Sequence, residues 1–115
     1  VTGCPFCARI EAAGYESWAS DPDVVWFEPL NPVTPGHMLF VPARHVADAL
    51  EDPYTTALTM EIASRKTQGS CNLITSVGAL ASQTVWHLHI HAVPRRPGDG
   101  LQLPWPQRSF AEIAG

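Results

Sequence analysis

Three imidazoles recur at every second position of Trp86-His87-Leu88-His89-Ile90-His91-Ala92-Val93, in a run that is otherwise apolar. Imidazole titrates near neutrality and serves as nucleophile, general base or metal ligand, so three in this pattern call for a chemical reason. Alternation at period two predicts a strand with His87, His89 and His91 on one face and Trp86, Leu88, Ile90 and Ala92 on the other. Two chemistries compete for that face. In one, paired histidines grip a metal ion that keeps an open position. In the other, the middle imidazole attacks phosphorus while its second nitrogen is held as a donor by a fixed acceptor. Immediately upstream, Gly78-Ala79-Leu80-Ala81-Ser82-Gln83-Thr84 ends in an amide and a hydroxyl. Such groups, with free backbone N–H donors, can hold a phosphoryl oxygen as its charge builds. No acidic side chain lies between residues 78 and 93, which suits an anionic substrate and favours phosphoryl chemistry over metal-bound water.

A second set of donors opens the chain. Cys4 and Cys7 have the two-residue gap that, in a reducing compartment, reads as metal ligation or redox work before disulfide scaffolding. Cys71 reads as a buried strand residue. A short helix is expected after Pro5, stopped by Gly14. Residues 20–23 read as a turn, Val24–Phe27 as a strand closed by Pro29, residues 30–36 as a loop and His37–Val41 as a second strand. Residues 44–50 could hold a turn of helix. Asp52 as N-cap before Pro53 then starts a longer helix over 54–67, with Ala57, Leu58, Met60, Ile62 and Ala63 partly on one face and Gly69 as the stop. Cys71–Thr75 is a third strand, 77–84 a small-residue loop, and the histidine strand follows. Arg95 and Arg96 read as a solvated turn and stay outside the site. The order has no repeated βαβ unit, so the fold class is α+β with an antiparallel sheet.

Size and charge limit the partners. The 115 residues, 45% hydrophobic, suit one domain over 1–115 with a single core. A net charge of -4 argues against a nucleic-acid surface held by general electrostatics and leaves small molecules as the expected partners. No apolar run approaches the ~20 residues that cross a bilayer, and the start lacks a signal-peptide layout, so a soluble cytoplasmic protein is expected.

Four stretches in order carry a resemblance to a known family: Cys4-x-x-Cys7, Asn31-Pro32-Val33-Thr34-Pro35-Gly36-His37, Pro42-Ala43-Arg44-His45, and Gln83-Thr84-Val85-Trp86-His87-Leu88-His89-Ile90-His91. Together they resemble the histidine triad (HIT) superfamily, in the branch that carries a Cys-x-x-Cys. The resemblance implies an antiparallel sheet of about five strands with one long and one short helix. It implies a nucleotide hydrolase or nucleotidyl transferase in which His89 attacks the α-phosphate and forms a nucleotidyl-histidine. By the same likeness His91 and Gln83 contact phosphate or leaving-group oxygens, Thr84 takes the place of a usual serine, and His37 supports the site from behind. Cys4, Cys7, His45 and His87 would hold a closed, structural zinc ion. Where many members have an aspartate for ribose this chain has Pro29, leaving Glu28 beside it, and Ser76 stands where an asparagine is common. Members often dimerise through the long helix, here around Leu58 and Ile62. Two rival readings remain: a non-catalytic nucleotide-binding or scaffold protein, and a metal-dependent enzyme with its ion on His87, His89 and His91.

Overall fold

Val24, Val25, Trp26 and Phe27 are all buried, so the strand they form is covered on both faces and reads as a continuous apolar run. The computed structural model describes residues 1–106 and places this strand, β2 (Asp21–Phe27), second in a five-stranded sheet. The other strands are β1 (Glu16–Trp18), β3 (Met38–Pro42), β4 (Cys71–Ile74) and β5 (Ile90–Pro94), and the order across the sheet is β1-β2-β3-β5-β4. Every neighbouring pair is antiparallel. Helices α1 (Pro5–Glu11) and α2 (Pro53–Lys66) pack on opposite faces. The expected sheet, with one short and one long helix, is the observed architecture.

The face under α2 carries Val24, Trp26, Phe40, Ile90 and Ala92, closed by Ile62 and Ala63. The opposite face carries Val25, Phe27, Leu39 and Val41, against Phe6 and Ile10 of α1. Burying a side chain of the size of Phe40 or Ile62 contributes about 1.5–3 kcal/mol. The buried side of α2 differs from the expected one in a specific way. Ala57 is exposed, whereas Thr55 and Thr59 are buried with Ile62 and Ala63. Thr59 is fully enclosed because its hydroxyl donates to the Thr55 carbonyl at 2.8 Å, one turn back, so no polar group is orphaned. Ile62 is likewise fully buried against its own sheet, so it cannot serve the dimer surface expected around it. Ile62→Val should cost about 1 kcal/mol, read as a lower urea midpoint at unchanged slope.

Four other boundaries depart from expectation. Residues 20–23 were expected only to turn, yet β2 begins at Asp21 and pairs with β1, an edge strand with no apolar alternation to announce it. Residues 44–50 form no helix. Asp48 Oδ1 accepts from the N–H groups of Leu50 and Glu51, and that side-chain turn takes the donors a helix would need. The loop over 77–84 contains a 3-10 turn at Ala79–Ala81. Most consequential, the histidine strand is shorter than its alternation suggests: β5 starts at Ile90, so His87 and His89 precede it. Phe40 pairs with Ile90, and the same register continued would set Leu88 opposite Pro42, which has no N–H to give. The backbone of 87–89 finds other partners. Leu88 N–H donates to the Val46 carbonyl at 2.8 Å, and the His89 carbonyl accepts from the Thr75 hydroxyl at 2.8 Å.

No helix among the described residues is long and apolar enough to cross a membrane.

Candidate functional site

The chain puts its first helix to use at once. Cys4 is the N-cap of α1, its sulfur accepting from the Cys7 N–H at 3.3 Å, and Pro5 occupies the first helical position. One helical turn therefore carries both thiols to the same side. Across from them, His45 follows β3 and His87 precedes β5. Cys7 Sγ lies 3.2 Å from His45 Nδ1 and 3.5 Å from His87 Nδ1; Cys4 Sγ lies 3.4 Å from His87 Nδ1, and the two Nδ1 atoms are 3.2 Å apart. All four donor atoms fall within 4.8 Å of one another. Among the described residues this is the one such group of three or more His, Cys, Asp or Glu donors. Burial, then the neighbouring Cys4, raises the Cys7 thiol above its ordinary value.

His87 is fully buried, and its other nitrogen settles its tautomer. Nε2 lies 2.8 Å from the Pro42 carbonyl, which can only accept, so Nε2 carries the proton and Nδ1 turns its lone pair to the thiols. The same logic applies to His89. Its Nδ1–H donates to the His87 carbonyl at 2.8 Å, leaving the Nε2 lone pair free. Burial lowers its pKa from the ordinary imidazole value, which keeps that lone pair available. Phe6 on α1 stands edge-on to His89, with ring centres 5.1 Å apart, and edge-on to Phe27 at 5.4 Å. The helix that carries the cysteines thus also walls the middle histidine.

His91, the histidine that does lie in β5, is paired with His37. The Val33 N–H donates to His37 Nδ1 at 3.1 Å, so His37 holds its proton on Nε2. That Nε2–H donates to His91 Nδ1 at 2.9 Å, and His91 must hold its own proton on Nε2. One backbone amide thereby sets two tautomers in series. No buried side-chain nitrogen or oxygen among the described residues lacks a partner. The Nε2 atoms of His89 and His91, which have none, therefore open toward solvent. The site offers a lone pair on one ring and an N–H donor on the next, with ring centres 5.1 Å apart. The three histidines of the triad run go to three different partners and do not converge as a single-ion site would require.

Burial, then the charges of His89 and His37, push His91 from 6.5 to about 4. Folding thus favours its neutral form, so stability is intact above the unfolded value and falls as the pH drops from 6.5 toward 4. Because the ring is only partly buried, solvent screening holds the loss ascribable to it to about 1–2 kcal/mol. Chemical unfolding between pH 7 and 4 should show that decline, and His91→Asn should flatten it.

The remaining expected site residues sit as follows. Gln83 is buried and turned inward: its Oε1 accepts from Gly78 N–H at 2.9 Å, and its Nε2 donates to the Ala47 and Val85 carbonyls at 2.8 and 3.0 Å. Its amide braces the loop and both donors are taken. Thr84 and Glu28 are exposed, and Ser76 is half-buried just past β4. Glu28 is close enough for its charge to oppose the burial that lowers the His37 pKa. Arg95 departs from the expected solvated turn, whereas Arg96 is exposed. The Arg95 side chain is 15% exposed and ion-paired to Asp99, and Arg96 reaches the loop before β3. Asp99, four residues on, was the available signal for Arg95, whereas the Arg96 acceptors Thr34 and Pro35 lie 62 and 61 residues away in sequence.

Comparison with known proteins gives a consistent result. A family model described as HIT domain matches residues 17–98, beginning after both cysteines. A HIT-like protein of Saccharolobus solfataricus is 36% identical over 102 residues, which cover 79% of this chain and 73% of that protein. An adenylylsulfatase of Arabidopsis thaliana is 32% identical over 89 residues, covering 70% of this chain and 44% of that protein. Among solved structures, a Zn-bound histidine triad family protein from Mycobacterium smegmatis superposes with a TM-score of 0.73 at 28% identity, covering 87% of this chain and 80% of that one.

Proposed function

The chain belongs to the HIT domain family, and from that premise we propose that it is a nucleotide hydrolase whose nucleophile is Nε2 of His89. The observation that carries this reading is the hydrogen bond from His89 Nδ1–H to the His87 carbonyl. It leaves one lone pair on the solvent-facing nitrogen and places an acceptor behind the ring, where positive charge develops once Nε2 bonds to phosphorus. Attack on the α-phosphorus forms an N–P bond and breaks the P–O bond to the leaving group, which departs with its electron pair and takes up a proton. Water then attacks the same phosphorus, gives a proton to solvent in place of the one the leaving group took up, and returns the N–P electrons to His89, releasing the nucleoside monophosphate. His91, with its proton on Nε2, is the donor suited to a phosphoryl oxygen during both steps. An adenylylsulfatase among the relatives supports a nucleotide substrate.

Cys4, Cys7, His45 and His87 would hold a zinc ion. A tetrahedral ion with zinc–sulfur and zinc–nitrogen bonds of about 2.3 and 2.0 Å needs nitrogen–nitrogen edges near ~3.3 Å and nitrogen–sulfur edges near ~3.5 Å. Four of the six edges, one nitrogen–nitrogen at 3.2 Å and three nitrogen–sulfur at 3.2–3.5 Å, fit that set, and all four donor atoms lie within 4.8 Å of one another. Four protein donors leave no open position, so the ion supplies structure and no reacting water. The Zn-bound neighbour supports the same assignment.

The test is turnover of nucleotides that carry different leaving groups on the α-phosphate, with an alkaline denaturant quench, which preserves an acid-labile N–P bond, and mass spectrometry to locate a nucleotidyl group. The expected result is monophosphate release and an adduct on His89. Binding across the panel without turnover would instead favour a nucleotide-binding protein that lacks catalysis.

A further inference from the structure

Two adjacent arginines leave the end of β5 in opposite directions. Arg95 turns back into the fold, donating to Asn72 Oδ1 at 2.7 Å, to both carboxylate oxygens of Asp99 at 2.8 and 3.1 Å, and to the Leu101 carbonyl at 3.0 Å. Asp99 also accepts from the Arg96 N–H at 3.0 Å, so the backbone of Arg96 is held in place. From that base the Arg96 guanidinium crosses to the loop that precedes β3. Nη1 donates to Thr34 Oγ1 at 2.7 Å and Nη2 to the Pro35 carbonyl at 2.9 Å. The loop lies close against the same Pro94–Arg96 segment, with Arg96 Nη2 4.0 Å from where a Gly36 Cβ would stand. Gly36 has φ +87°, and a Cβ there would meet Pro94 Cγ at 3.2 Å.

This clamped loop is the one whose Val33 N–H fixes the tautomer of His37 and, through it, that of His91. We propose that Arg96 is a positioning residue: by holding Thr34 and Pro35 it keeps the Val33 N–H on His37 Nδ1, so that His91 always presents Nε2–H to the substrate. The proposal rests on His89 and His91 being the reacting pair. Two terminal nitrogens committed to the loop make the guanidinium a rigid fork across it, and one peptide plane separates Val33 from Thr34. Released from the clamp, the loop could move the Val33 N–H off His37. His37 would then be free to protonate on Nδ1, and His91 would lose its obligatory donor.

The experiment compares Arg96→Ala, Arg96→Lys and Thr34→Val with the parent protein. Thr34→Val removes the hydroxyl acceptor from the other side of the clamp with little change of volume, so the proposal does not depend on how Arg96→Ala folds. The readouts are kcat and KM for nucleotide hydrolysis and the ring-nitrogen NMR shifts of His37 and His91. Expected are a kcat lower by about tenfold at nearly constant KM, ring-nitrogen shifts moving toward a tautomer mixture, non-additive effects of Arg96→Ala and Thr34→Val, and little recovery in Arg96→Lys, whose single ammonium cannot hold both acceptors of the fork. Unchanged ring-nitrogen shifts would overturn the proposal, as would a rise in KM alone, which would make Arg96 a direct phosphate contact. If the parent protein turns nothing over, the shifts still decide the clamp, and only the hydrolase reading falls.

Discussion

His89→Ala should abolish nucleotide turnover, lowering kcat by about 10³-fold or more while leaving nucleotide affinity within a few fold. The expectation is strong because nothing else nearby can take over the role. His87 turns its lone pair toward Cys4 and Cys7, and His91 uses its lone pair to accept from His37. His89 alone of the three has a lone pair directed at solvent. Initial rates of monophosphate release, measured beside equilibrium binding, check the result. His89→Gln is the companion variant, since it keeps a polar side chain there yet cannot form a nucleotidyl-histidine. A His89→Ala protein that works at the parent rate would remove the mechanism altogether.

The second large effect is expected at the other end of the chain. Cys4→Ser, or chelation of the parent protein, should strip the metal and destabilise the fold by several kcal/mol, on the order of a 10 °C or greater fall in Tm. The reason is local. Helix α1 has seven residues, too few to persist alone in water, and none of them is buried. What ties it down is the pair of sulfurs against His45 and His87, with Phe6 and Ile10 resting on the sheet. Metal analysis should give one zinc per chain in the parent and a deficit in Cys4→Ser, with the melting temperature falling in parallel. A metal content unchanged in Cys4→Ser would place the ion elsewhere and void the assignment.

Much of this site can be read from residue types, because the donors advertise themselves. Cys-x-x-Cys and the triad run stand out by type alone, while the family resemblance is what joins His45 and His87 to the cysteines as candidate metal ligands and marks His37 as the fourth histidine. What escapes is whatever is decided across the fold. The strand ends before His89 because Pro42, on the neighbouring strand, lacks an N–H, and nothing within 86–93 reveals that. Gln83 turns inward because the Ala47 carbonyl, 36 residues away in sequence, awaits its amide. Arg96 looks like a solvated turn until Thr34, 62 residues earlier, is folded beneath it. The burial of Thr59 is a milder case. Its polarity argues for solvent, and only the carbonyl one turn back makes the core acceptable.

Phe6 has one further consequence. It lies a single residue from Cys7 and two from Cys4, and its ring edge meets both His89 and Phe27. The same helical turn therefore contributes to two binding equilibria. If a substrate is held more tightly with Phe6 in place, metal occupancy must raise substrate affinity, and by thermodynamic reciprocity bound substrate must raise the affinity for the metal by an equal free energy. An ion with no part in the bond-making step would then act as an effector of the site, and the substrate as a guardian of the ion.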